Sequence, residues 1–208
     1  MDLFSSIDSI DDQLRKSGYS LIAGVDEAGR GPLAGPVFAA AVILPPENSL
    51  PDTMDSKKIS PARREKLYEE ILSVAVAWHV SSIENQVIDR INILQATLKA
   101  MVEAVKNLSN TPEMILVDGS HTPFVDSHSR ALTKGDGLSQ SIGAASILAK
   151  VQRDRLMTRY HEEYPQYGFA RHKGYGTREH MDAIAKHGPC PIHRRSFAGV
   201  KEHCKKME

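Results

Sequence analysis

Two acids, Asp26 and Glu27, stand side by side at the end of an apolar run and are followed at once by Ala28, Gly29, Arg30 and Gly31. Adjacent carboxylates repel, so such a pair calls for a neutralising cation or for protonation of one member. Two further acids close short apolar stretches, Asp118 after "EMILV" and Asp136 after "RALTKG". In open α/β sheets functional groups gather where strands end, and three such ends brought together would concentrate four carboxylates. An all-oxygen donor set favours a hard cation, Mg²⁺ or Mn²⁺, over zinc, which prefers His and Cys. Taken singly, Asp118 and Asp136 can each be read as a turn residue, because Gly follows both.

Successive strand residues point to opposite faces. For Asp26 and Glu27 to share one metal site, the strand is expected to curl or stop between them, and Ala28-Gly29 would allow this. Glycine lets backbone N–H groups approach a ligand closely. Arg30 between two glycines could therefore meet a phosphate while neighbouring amides touch sugar or phosphate oxygens.

The elements that must position these groups follow from periodicity. Leu3, Ile7, Ile10 and Leu14 fall at helical spacing within an amphipathic extension, residues 1–18. "YSLIAGV" and "PVFAAAVIL" read as strands separated by a Gly/Pro-rich stretch. Ser60-Pro61 opens a helix as a capping residue followed by Pro; "AVAWHVSSI" reads as a third strand and "INILQATLKAMVEAVKNL" as a helix. "EMILVDG" and, more weakly, "RALTKGD" are further strands, and a long helix runs from Ser141 to about Tyr164. A loop, a helix over about 177–187 and a basic tail complete the chain. This order predicts an α/β domain around a mixed sheet, with a core over 19–165 and a basic C-terminal helical region over 166–208.

The 208 residues suit one domain, with 41% hydrophobic and 25% charged residues. No apolar run approaches the ~20 residues of a membrane span, and the acidic start does not resemble a secretory leader. Cys190 and Cys204 are too few for a disulfide framework, so a reduced, cytoplasmic protein is expected; a monomer is a separate expectation. The net charge of zero hides an asymmetry: residues 1–149 carry 13 Lys and Arg against 19 Asp and Glu, whereas 150–208 carry 13 against 7. An acidic body joined to a basic end is compatible with a metal site beside a phosphate-binding surface. The string His187, Cys190, His193 has zinc-like spacing, but Pro189 and Pro191 frame it as a loop.

"AGVDEAGRGPLAGPV" resembles the first signature of the ribonuclease HII (type 2 ribonuclease H) family. "DSKKIS" at 55–60, "VDG" at 117–119, "KGD" at 134–136, "AASILAKVQRDR" at 144–155, "YGFARHKGYGT" at 167–177 and "HRRSF" at 193–197 follow in the family's order. The resemblance implies a ribonuclease H-like fold, a mixed β-sheet flanked by helices with a C-terminal helical extension. It implies that Asp26, Glu27, Asp118 and Asp136 are catalytic metal-binding carboxylates. Asp154 is the competitor to Asp136, set aside because Arg153 and Arg155 on the same helix could pair it.

The implied reaction is two-metal hydrolysis of a phosphodiester in RNA–DNA hybrids and 5′ of single ribonucleotides in duplex DNA, leaving 3′-hydroxyl and 5′-phosphate ends. Two metals ~3.5–4 Å apart suit in-line displacement at phosphorus. Only the 2′-hydroxyl separates RNA from DNA at a given sugar; by resemblance Gly29, Arg30 and Gly31 read it, and Tyr175 packs on the neighbouring deoxyribose. Lys57, Lys58 and Lys173, with Arg171 and His172, are candidate phosphate contacts. Against this stand two other classes, a binding module that has kept the fold and a resolvase-like nuclease. The intact acids disfavour the first, and the Gly-Arg-Gly loop disfavours the second.

Overall fold

A computed structural model of the chain describes residues 9–46, 50, 53, 59–125 and 128–204. The expected first helix is present as α1 (Ile10–Lys16), capped by a reciprocal Ser9–Asp12 box; Leu3 and Ile7 lie outside the described residues. Strands β1 (Ile22–Ala28), β2 (Val37–Ile43), β3 (Ala77–Ile83), β4 (Met114–Asp118) and β5 (Ser129–Leu132) form one sheet in the order β3-β2-β1-β4-β5. β2 lies antiparallel to both β1 and β3, while β1, β4 and β5 run parallel. The C-terminal ends of β1, β4 and β5 therefore lie at one end of the sheet, and the acids sit at or just beyond it.

Helix α2 (Pro61–Val74) begins as Ser60-Pro61 predicts, with the Ser60 hydroxyl accepting the Arg63 N–H at 3.2 Å. Helix α3 (Asn85–Lys106) starts earlier than its apolar pattern suggests, and is broken at Asn92, φ 66°. There the Asn92 side chain accepts the Gln95 N–H at 3.1 Å and caps the main segment. Helix α4 (Gln140–Glu163) is capped by Ser139. Short helix α5 (Phe169–His172) interrupts what the sequence presents as a loop, and α6 (Arg178–His187) follows the Thr177 cap.

The sheet is covered on both faces. Phe38, Ala40 and Val42 of β2 pack with α2 and α4, whereas Val37, Ala39 and Ala41 face α3. The small residues let α4 lie close on the sheet. A Cβ at Gly24 would stand 2.0 Å from the Ser141 carbonyl carbon and 2.2 Å from the Ile142 nitrogen. A third cluster ties the C-terminal region to the loop between β1 and β2, with Leu33, Met157, Phe169, Ile184 and Val200 buried together. Backbone bonds lace the two: Leu33 N–H donates to Gly174 O, Gly35 N–H to Ile192 O and Arg194 N–H to Leu33 O, each at 2.8 Å.

Candidate active site

The acid pair does not arise where a strand stops. β1 stays paired with β2 through Ala28, so Asp26 and Glu27 are both strand residues with opposite facing, Asp26 on the α4 side. What opens the sheet is the other edge: the β1–β4 ladder ends at Val25↔Val117. Asp26, Glu27 and Asp118 lie just past that last rung, and all three line one cavity of about 300 Å³. Gly29, Arg30, Gly31, Ser146 and Tyr175 line it too, so the ribose-reader candidates share the space of three of the acids.

Burial holds the Asp26 carboxyl well above its ordinary pKa, reinforced by the nearby Glu27 and Asp118 charges; hydrogen bonds from Ser146 and the Glu27 N–H oppose this. Glu27 is raised by burial too, and Arg30 at 3.3 Å pulls it back. Asp118 accepts the Gly135 N–H at 2.7 Å, which ties the end of β4 to the turn after β5. The cavity thus gathers negative charge that the protein only partly neutralises. An all-oxygen set with residual repulsion fits a hard divalent cation. Among the described residues no three acidic, His or Cys side chains already stand together as ligands of one ion.

Asp136 is placed differently. β5 ends at Leu132, and Asp136 sits in a 3₁₀ turn, Gly135–Gly137, entered through left-handed Lys134. It is buried, 5% exposed, and neighbours the Gly135 amide that binds Asp118, but it is not among the residues lining the cavity. The expected strand end there is corrected: the Thr133–Gly135 stretch turns before the acid. Asp154 is paired by Lys150 at 2.6 Å rather than by Arg153 or Arg155. Arg155 reaches Glu65 instead, and Arg153 is buried.

Lys173 lines a neighbouring groove of about 580 Å³ with Asp154, Arg155, Arg159 and Tyr68, and Arg64 lines both spaces. The Lys173 ammonium donates to Ala170 O and to Thr158 Oγ1. Arg171 is ion-paired with Glu179, and His172 bonds the Tyr167 carbonyl. Lys57 and Lys58 lie outside the described residues.

Tyr175 is half-exposed, its ring edge 3.5 Å from where a Cβ on Gly31 would stand. Buried histidines hold its backbone. The Cys190 N–H donates to His193 Nδ1 at 2.9 Å, so the proton of neutral His193 is on Nε2. That N–H donates to His180 Nε2 at 3.0 Å, and His180 Nδ1–H in turn donates to the Tyr175 carbonyl at 2.9 Å. Burial depresses both pKa values to about 4, keeping the rings neutral. His193 and Cys190 of the zinc-like string are thus bound to each other in this chain.

The sequence reading missed two residues beneath the loop, Arg153 and Arg194, both essentially unexposed. Arg153 continues the buried stripe Ala149-Arg153-Met157 at four-residue spacing, a signal present in the sequence. Arg194 lies in irregular chain, where periodicity says nothing.

The strand order and the acids gathered at the strand ends define the class: a ribonuclease H-like fold carrying an oxygen-donor site. The sequence model of the family described as "Ribonuclease HII" matches residues 23–200. The chain is 57% identical to ribonuclease HII of Geotalea daltonii, over 95% of this chain and 92% of that one. It is also 57% identical to ribonuclease HII of Geobacter sulfurreducens, over 90% and 87%. Among solved structures it resembles the ribonuclease H2 of Pyrococcus horikoshii OT3, with TM-score 0.74 and 27% identity over 87% of this chain and 95% of that one. The ribonuclease HII in the PCNA:RNase HII complex of Archaeoglobus fulgidus gives 0.73 and 27%, over 85% and 95%. The chain belongs to the ribonuclease HII family, metal-dependent endoribonucleases that cleave the RNA of RNA–DNA hybrids.

Proposed function

We propose that the protein hydrolyses the RNA strand of RNA–DNA hybrids and also nicks duplex DNA 5′ of a single embedded ribonucleotide, leaving 3′-hydroxyl and 5′-phosphate ends. The observation that carries this is one cavity lined at once by Asp26, Glu27 and Asp118 and by Gly29, Arg30, Gly31 and Tyr175. A phosphodiester at the acids would have its sugar within reach of the loop. Asp26, Glu27, Asp118 and Asp136 would hold Mg²⁺ or Mn²⁺, Asp136 entering from the adjoining turn. Bound metal supplies charge neutralisation at phosphorus and an acidified water, in the two-metal manner.

The chain's own groups do the rest. Arg30 is half-exposed beside Glu27 and is placed to meet a phosphate oxygen while tempering the local negative charge. Tyr175 is half-exposed at the cavity with its ring edge near Gly31, and its apolar ring would pack on a deoxyribose there and crowd an added hydroxyl. Tyr175→Ala is therefore expected to lower kcat/KM on a single-ribonucleotide duplex about tenfold, the effect of losing roughly 1.4 kcal/mol of contact, and to lower it less on a long hybrid. Equal losses on both substrates would remove the junction role.

A further inference from the structure

Beneath the Gly-Arg-Gly loop lie two buried guanidiniums whose donors all go to backbone carbonyls. Arg194 donates through Nε to Gly35 O at 2.9 Å, through Nη1 to Arg30 O at 2.8 Å and through Nη2 to Gly29 O at 2.6 Å. Arg153 does the same for Pro36, Lys173 and Ala34 at 3.0–3.2 Å. A planar fork of fixed geometry imposes direction on the carbonyls it binds, which an ammonium does not.

That direction decides where the loop amides point. The peptides here are trans, so each C=O is antiparallel to the N–H of the next residue. With the Gly29 and Arg30 carbonyls drawn inward to Arg194, the N–H groups of Arg30 and Gly31 must point away from it. Both residues line the acid-bearing cavity. No hydrogen bond among the described residues takes either N–H. Gly29, at φ +93°, is what lets the chain turn this way, and a Cβ there would collide with Arg153 Nε at 2.0 Å.

We propose that Arg194 is a positioning residue for sugar discrimination: by anchoring the Gly29 and Arg30 carbonyls it aims the Arg30 and Gly31 N–H groups into the cavity as a paired donor for a substrate 2′-hydroxyl. This rests on the reading of the loop as a ribose sensor. Arg153, beside it, braces the same loop through Ala34 and Pro36.

The test is equilibrium binding in EDTA, where no cutting depletes the probe, to two duplexes identical except for one ribose or deoxyribose. Wild type, Arg194→Lys and Gly31→Pro are compared, with melting curves for each. Gly31→Pro deletes one outward amide without touching either arginine. Wild type is expected to prefer the ribonucleotide duplex. Arg194→Lys should lose about tenfold of that preference, the scale of one or two hydrogen bonds, with all-DNA affinity unchanged. A folded Arg194→Lys that keeps the preference, or that weakens on both duplexes alike, overturns the proposal. Should Arg194→Lys melt early, Gly31→Pro decides, and a retained preference there overturns it as well. Absence of preference in wild type would instead sink the ribose-sensor reading itself.

Discussion

At the scale of single residues, Asp26 is where function costs stability. Its carboxylate is buried against two other acids, and its raised pKa means that the fold disfavours its ionised form. Asp26→Asn is expected to abolish cleavage while raising stability by about 1 kcal/mol, a Tm gain of roughly 2–4 °C for a chain of this size. Divalent cation should raise the wild-type Tm by mass action and raise that of the variant less. Thermal melts with Mg²⁺ and with EDTA check this, and a variant less stable than wild type would mean that Asp26 supports the fold rather than straining it. Arg30 makes a contrasting case: it is half-exposed, and its pair with Glu27 pulls back the burial-raised pKa of that carboxyl.

At the scale of elements, the seating of α4 on β1 brings Ser146 to Asp26. Gly24 permits that seating, and Gly24→Ala would drive a methyl group into the α4 backbone. The expected cost is about 3 kcal/mol or more, measured by denaturant unfolding; a loss under 1 kcal/mol would show that α4 shifts freely. Much of this was legible in the sequence. The apolar runs of β1 and β2, the Ser60-Pro61 start of α2 and the small-residue start of α4 all follow from local pattern and capping chemistry. What was not legible depended on pairing between distant strands. Whether β1 ends at Asp26 is decided by β2 continuing beside it to Ala28, and the opening beside the acids by β4 ceasing to pair after Val117. The turn that buries Asp136 needs left-handed Lys134, a conformation no apolar pattern announces. The sequence offers Arg153 as a partner of Asp154 on the same helix; three carbonyls from the β1–β2 loop and from Lys173 are what let it be buried instead.

At the scale of the whole molecule, the basic C-terminal region is joined to the acidic body by backbone bonds and apolar packing, and is held together internally by buried neutral histidines. His180 and His193 have folded-state pKa values near 4, below the ordinary 6.5. The unfolded chain therefore binds protons first as pH falls, and stability should decline from about pH 6.5 to 4, on the order of 2–3 kcal/mol for each ring. Asp26 and Glu27 act with the opposite sign, since protonating them relieves the fold. The decline should accordingly be steeper in Asp26→Asn than in wild type, as melts across that range would show; parallel profiles would contradict the charge strain at Asp26. The central claim, that one cavity joins metal-dependent hydrolysis to recognition of a ribose, is tested most directly by incubating the protein with two DNA duplexes that differ by a single 2′-hydroxyl, each with Mg²⁺, Mn²⁺ or EDTA. A metal-dependent nick on the 5′ side of the ribonucleotide, with the all-DNA duplex untouched, is the predicted result. Cutting of both duplexes, or of neither, would contradict it.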